Sequence, residues 1–199
     1  MSLERPWEKA FSKLIESLKT SWGESLPPRR TSDPGRDRPS IGSSWTYPAV
    51  AWHRGENRVV VSISESPVGC GGLLDAMDNY EFLHISLIRK LNALLILRHE
   101  GIFDRLKKAI KFEWEYQTGN REFDRKYYIV EARSESDKRL VCSGEFQGLI
   151  EQLEPIASVA LLESGIHCSL AIDDESVLSS ERVENVLDRM DRIAGLAPQ

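Results

Sequence analysis

The sequence predicts an α+β protein: an antiparallel sheet of hairpins with helices on one face, a long C-terminal amphipathic helix and an N-terminal helical arm. Three observations carry that prediction. Short runs alternate apolar and polar residues and are bounded by turn signals, which is the pattern of half-buried strands. The two ends of the chain instead space their apolar residues three and four apart, the pattern of helices with one buried stripe. Consecutive strands are joined by tight turns, with no Gly-rich first turn or alternating strand–helix rhythm, so antiparallel pairing is expected. A chain of 199 residues, 41% hydrophobic and 29% charged, has the size and composition for one soluble core plus an arm.

In chain order, residues 6–22 put Trp7, Phe11, Leu14, Ile15, Leu18 and Trp22 on one stripe, with Glu8, Lys9, Lys13, Glu16 and Lys19 opposite. This defines a helical arm over 1–26. Residues 27–44 hold four of the nine prolines and no apolar periodicity, and read as a Pro/Arg/Ser-rich linker. A single α+β domain then spans 45–199. WTYPAVAWH and NRVVVSIS flank the turn-like RGE, giving a hairpin over 45–64. A short helix is expected at Leu73–Asn79. EFLHISLIRKL sets Phe82, His84, Ser86 and Ile88 on one face of a strand and Leu83, Ile85 and Leu87 on the other. Asn92 marks a turn into the strand ALLILRH, and IFDRLKKAI has helical spacing.

Phe112, Trp114 and Tyr116 alternate with Glu113 and Glu115 in a predicted strand, Thr118-Gly119-Asn120 turns the chain, and Phe123 to Ala132 is expected to return as its partner. A helical stretch over 135–153, broken near Gly144, precedes two short strands around Gly165. The last element, Ser180 to Leu196, carries the stripe Val183, Val186, Leu187, Met190, Ile193 and Ala194, with Ser179 or Ser180 as N-cap.

Charge and composition narrow the function classes. A net charge of −5 and a pI near 5.5 argue against general nucleic-acid binding, which draws on a basic excess. The longest apolar run, Ala93 to Leu97, is far below the roughly 18 residues of a membrane span. MSLERPWEKAF is charged and has no apolar core of a secretory leader. Cys70, Cys142 and Cys168 are odd in number and widely spaced, which points to reduced thiols and a cytoplasmic location.

The stretch TGNREFDRKYYI, followed by a helical segment ending in leucines, two short strands and a final helix, resembles a widespread type of bacterial domain of unknown function. Members carry an FD-x-x-[FY]-x-[VI] element after a Gly-Asp or Gly-Asn turn, and many are attached to membrane-spanning segments. The resemblance covers about residues 111–196 and rests on Gly119, Asn120, Phe123, Asp124, Tyr127 and Ile129. It implies an accessory domain and supplies no catalytic residue; the missing apolar span is a departure from that pattern.

Beside the resemblance, the residues support few chemistries. Asp124 is expected to anchor the preceding turn, since Asx side chains beyond a turn accept backbone N–H groups. Glu113, Glu115, Asp124 and Glu131 form the one acidic set that could serve a metal-dependent hydrolase, although Glu113 and Glu115 have the spacing of a solvent face. Cys70 lies in a glycine loop without a base in recognisable spacing, and GCGG lacks the lysine and hydroxyl of a phosphate loop. His167 and Cys168 are adjacent and so point to opposite faces of a strand. No catalytic residue, metal ligand set or cofactor is predicted. The locally basic linker, with Arg29, Arg30, Arg36 and Arg38 diluted by Asp33 and Asp37, could contact an anion or stay solvated.

The leading expectation is a non-enzymatic protein-interaction or scaffold module, engaging a partner protein or a second copy. Its contact residues would be Trp7, Phe11, Leu14, Leu18 and Trp22, unless that stripe folds back on its own domain or lies on a membrane; balanced charge on the polar face weighs against the membrane. Two alternatives stand. One is an apolar-ligand domain with a cavity between sheet and C-terminal helix, lined by Trp114, Tyr116, Tyr128 and Met190. The other is the acidic-site hydrolase.

Overall fold

The structure, a computed structural model, describes residues 6–25, 49–67, 79–99 and 116–197. The expected linker, the helix at 102–110, the helix at 73–79 except Asn79, the strand at 112–116 except Tyr116, Cys70 and Trp114 fall outside the described residues. Asn79 opens a strand where the end of a helix was expected, and Tyr116 lies outside any strand. Helix α1 (Pro6–Trp22) is followed by strands β1 (Val50–Arg54), β2 (Asn57–Pro67), β3 (Asn79–Ile88) and β4 (Leu95–His99). Helix α2 (Arg121–Lys126) leads into β5 (Tyr127–Ala132), and α3 (Glu135–Cys142) and α4 (Gly144–Glu151) follow. Strands β6 (Ile156–Leu162) and β7 (Gly165–Ala171), a 3-10 turn (Glu175–Leu178) and α5 (Ser180–Leu196) complete the chain.

The strands form one seven-stranded sheet in the order β1-β2-β3-β7-β6-β4-β5. Every neighbouring pair is antiparallel. The β6–β7 hairpin is inserted between β3 and β4, so the last two strands in sequence lie at the centre. Gly165 makes that insertion fit: a side chain there would meet the Leu87 carbonyl oxygen at 2.2 Å, and its φ of +144° is one that L side chains rarely adopt.

Strand alternation decides which face is buried. Val59, Val61, Ile63, Leu83, Ile85, Leu87, Leu95, Leu97, Val159, Leu161, Ile166 and Leu170 are all fully buried. They share one core cluster with Val183, Val186, Leu187, Met190 and Ile193 of α5 and with Phe146, Leu149 and Ile150 of α4. Trp7, Phe11, Leu14 and Leu18 of α1 belong to the same cluster. Each such side chain contributes roughly 1.5–3 kcal/mol on burial, which outweighs the weak intrinsic preference of an isolated helix of this length. No strand residue of the opposite parity belongs to this cluster; Ala51 and Ala160 are buried but lie outside it. The described helices therefore cover one face.

Capping follows local chemistry. Ser134 and Asp137 form a reciprocal capping box at α3, Ser143 ends α3 and caps α4, and Ser179 accepts from the Arg182 amide at the start of α5. One expectation is corrected. Residues 121–126 are helical, and the strand starts only at Tyr127. Asn120 accepts from the amides of Glu122 and Phe123, so the turn launches a helix where a hairpin strand was expected.

Candidate functional site

The face opposite the helices holds the densest polar chemistry among the described residues. Cross-strand register lines it up in rows. Ser62, His84, Ser169 and Ser158 lie side by side across β2, β3, β7 and β6, and Arg98 and Tyr128 continue the row on β4 and β5. The next row runs Ala51, Val60, Ser86, His167, Ala160 and Ile96. Small residues thus form the floor, and Phe82, Ile88, Ile96, Leu162 and Tyr128 stand half-buried around it.

Two imidazoles are tied into this floor. His84 shares hydrogen bonds with Ser64 (Nε2 to Oγ, 2.5 Å) and Ser169 (Nδ1 to Oγ, 2.9 Å). His167 shares them with Ser86 (Nδ1 to Oγ, 2.9 Å) and Ser164 (Nε2 to Oγ, 3.4 Å). Burial, and then the neighbouring His167, lower the His84 pKa to about 4, so the ring is neutral at pH 7. A serine on an imidazole that a third group orients has the layout of an activated nucleophile. Here, however, Ser64 is completely buried, and a ring with so low a pKa is a weak base. The contact serves to satisfy buried polar groups.

At one end of the sheet a wide-open cleft of about 570 Å³ is lined by His99, Glu154, Pro155, Ile156, Ala157, Ala171 and Asp173. Ala157 is the extra residue of a β-bulge between Ile156 and Ser158, which bends β6 away from its neighbour there. The Tyr127 hydroxyl donates to Glu154 Oε1 at 2.7 Å, and burial together with that carboxylate raises the phenol's pKa.

The residues singled out from the sequence are dispersed. Trp7, Phe11, Leu14 and Leu18 lie in the chain's own core, between 0% and 8% exposed. Trp22 is half-buried, edge-on to Trp52 with ring centroids 5.5 Å apart, and its indole N–H donates to Glu184. The stripe is thus spent inside this chain. Tyr116 packs against the helix-side core and its hydroxyl lies 3.3 Å from Cys142 Sγ, whereas Tyr128 is on the opposite face with the Arg98 guanidinium 4.9 Å from its ring centre. Met190 is fully buried among core side chains. Tyr116 and Tyr128 are therefore not brought to one cavity.

Asp124 answers as a turn anchor. Its Oδ1 accepts from the Thr118 amide (3.0 Å) and hydroxyl (2.7 Å), and its Oδ2 from the Gly119 amide (3.2 Å). Gly119, at φ +87°, lets the loop fold over it. With both oxygens committed, Asp124 does not converge with Glu131, which is exposed on β5; Glu113 and Glu115 lie outside the described residues. Among the described residues no group of three or more His, Cys, Asp or Glu is placed to hold a metal ion. His167 and Cys168 do point to opposite faces: Cys168 is 1% exposed in the core, and burial pushes its thiol up to about 12.

What the sequence missed is the His84–His167 floor. Its signal was the period-two run Phe82, His84, Ser86, Ile88, but the serines that complete it come from β2 and β7 and are set only by register.

Fold and site together define the class: an α+β protein with one antiparallel sheet, helices on one face and a hydroxyl- and imidazole-rich second face. No family model, no curated protein and no solved structure matches this chain. Among the described residues no helix is long and apolar enough to cross a membrane.

Proposed function

We propose that the protein is a non-enzymatic interaction module whose contact surface for a partner protein is the second face of the sheet. The observation that carries this reading is the breadth of that face. Seven adjacent strands about 4.8 Å apart span roughly 30 Å across the sheet. Small-molecule sites are instead concave and enclosed, and the cleft at His99 and Glu154 is wide open. Half-buried Phe82, Ile88, Ile96 and Leu162 supply apolar contact, while the serines and imidazoles supply hydrogen bonds that fix register. We also place the module in the cytoplasm, where Cys142 and Cys168, both free thiols, stay reduced. The accessory-domain character implied by the TGNREFDRKYYI resemblance is consistent with this role.

Affinity capture with the full chain tests the reading. A partner held by the wild type should be lost on Phe82→Arg and Ile96→Arg and kept on Glu145→Arg, which alters the exposed side of α4. Retention by all three variants would remove the second face from the mechanism. A native mass spectrum showing a retained adduct of a few hundred daltons would favour the ligand-binding alternative instead.

A further inference from the structure

The cleft at the end of the sheet has a floor and walls of different chemistry. Pro155, Ile156, Ala157 and Ala171 are apolar, whereas His99, Glu154 and Asp173 are exposed and carry acceptor groups. The two acids come from opposite ends of the last hairpin. Glu154 precedes β6 and Asp173 follows β7, and the pairing of Ile156 with Leu170 sets them on one cleft.

Glu154 and His99 are braced from beneath by one residue. Tyr127 is 1% exposed. Its hydroxyl donates to Glu154 Oε1, and its ring stands edge-on to His99 with centroids 6.0 Å apart. Lys126 Nζ lies 3.6 Å from the same oxygen and 3.5 Å from Glu151, so two carboxylates share one ammonium. Glu154 Oε2 and the Asp173 carboxylate have no hydrogen-bond or ion-pair partner among the described residues. Side chains held in place before a partner arrives lose less entropy on binding. The openness of the cleft decides the kind of occupant. A free small molecule is held where most of its surface is buried, and a wide-open cleft suits a group that a larger partner delivers.

We propose that this cleft receives a lysine side chain of a partner protein, with its four-carbon stem along Ile156, Ala157 and Ala171 and its ammonium at Glu154 and Asp173. An ammonium has three donors and no acceptor, and the two carboxylates with the neutral form of His99 supply acceptors for all three. A lysine stem covers apolar surface while its charged head stays at the wet rim, which is the layout of floor and walls here. Complementary charge of this kind sets partner choice and orientation. The proposal rests on the reading of the protein as an interaction module, not on the second face, and adds the chemistry of a contact at the end of the sheet.

The test titrates the full chain with a capped alanine pentapeptide carrying a central lysine, with its norleucine counterpart and with n-butylamine, read by backbone amide chemical shifts. The lysine peptide should shift the amides of Ile156, Ala157, Ala171 and Asp173 and bind more weakly as salt is raised. Asp173→Asn and Glu154→Gln keep size and should each lose about tenfold in affinity; Glu154→Gln also keeps an acceptor for the Tyr127 hydroxyl, and Asp173→Asn serves if it does not fold. Glu145→Gln on α4 should bind as the wild type does. Equal binding of the norleucine peptide, unchanged affinity in the cleft variants, or no shift at the cleft would each overturn the proposal. Binding of n-butylamine as tight as that of the lysine peptide would assign the cleft to a free amine and overturn the partner. Ile96→Arg, which tests the second face, should leave the lysine peptide bound, so the two contacts fail separately.

Discussion

His167 and Cys168 are neighbours in sequence, yet they report two different solvents. The thiol lies in the helix-covered core with its pKa pushed up to about 12, while the imidazole lies on the second face in hydrogen bonds to Ser86 and Ser164. The same contrast runs across the sheet. Leu83, Ile85 and Leu87 of β3 are fully buried against the helices, and Phe82, His84, Ser86 and Ile88 between and beside them are half-buried. A two-residue period thus writes two surfaces into one strand. Packing density makes one of them the source of stability, and polar, small side chains make the other the face proposed to meet a partner. Substitutions on the two faces should therefore separate stability from binding.

The largest separation is expected at Trp52, which is 1% exposed and donates its indole N–H to the Gly23 carbonyl at 3.2 Å. Trp52→Ala removes a large core side chain and should lower the unfolding free energy by about 3–5 kcal/mol. Ile96→Ala on the second face should cost about 1 kcal/mol, since less apolar area leaves contact with the protein. Urea unfolding followed by circular dichroism measures both. Equal costs would mean that the second face is packed as a core, and the comparison would fail.

A pH titration sharpens it from the polar side. The His84 pKa in the folded chain is about 4, against 6.5 for an unperturbed imidazole. As pH falls through 6.5 the unfolded chain takes up the proton first, so stability is lost between about pH 6.5 and 4 and is fully present above that window. The loss attributable to this ring is at most about 3 kcal/mol. A His84→Gln variant should show a shallower pH dependence across the same window. Parallel profiles for the variant and the wild type would show that the ring is not held neutral by the sheet.

Asp124 is one of the exceptions on the helix side, a 9%-exposed carboxylate that holds the 118–120 loop against α2. Asp124→Ala leaves three donors from Thr118 and Gly119 without their acceptor and should cost about 2 kcal/mol. Asp124→Asn keeps one acceptor oxygen and should cost less. Thermal unfolding of the two variants orders them, and a harmless Asp124→Ala would mean the loop is held by other contacts.

Much of the fold is legible because single residues answer to local rules. The α5 stripe from Val183 to Ala194 and the Ser179 cap follow from helical spacing and side-chain oxygen placement alone. The break at Ser143 between α3 and α4 falls one residue from the expected Gly144, where a serine both ends one helix and caps the next. Residues 123–126 depart from the strand expectation because Phe123, Tyr127 and Ile129 look like one alternating run, whereas Phe123 and Tyr127 are four apart on a helical turn, with ring centroids at 4.7 Å. Asn120, with Glu122 in the first turn, was the signal of a helix start. The second face was the least legible. Ser64, His84 and Ser169 are 20 and 85 residues apart in sequence; the β2–β3 pairing brings the first two together, and the insertion of β6–β7 beside β3 adds Ser169.

The smallest effect is expected where the helix-covered side meets solvent. Arg54 ties the β1–β2 hairpin to α5 through Asp188 at 2.5 Å and Asp191 at 2.8 Å, with Glu184 further off at 3.7 Å. Its side chain is 28% exposed and the Asp188 side chain 62%, so water and salt screen the pairs, and each is worth no more than about 1 kcal/mol. Arg54→Met keeps the aliphatic stem over the hairpin and removes the charge, leaving three carboxylates on one stripe of α5 with the Arg89 guanidinium 3.9 Å from Asp191. The expected cost is about 1 kcal/mol at low salt, shrinking as salt rises past the point where the screening length falls below the spacing of those carboxylates. Arg58→Met, one turn of the hairpin away on the second face, should cost less, because among the described residues the Arg58 Nε has no hydrogen-bond partner to lose. A salt-dependent stability loss at Arg58 equal to that at Arg54 would show that the Arg58 guanidinium has a counterion within the fold.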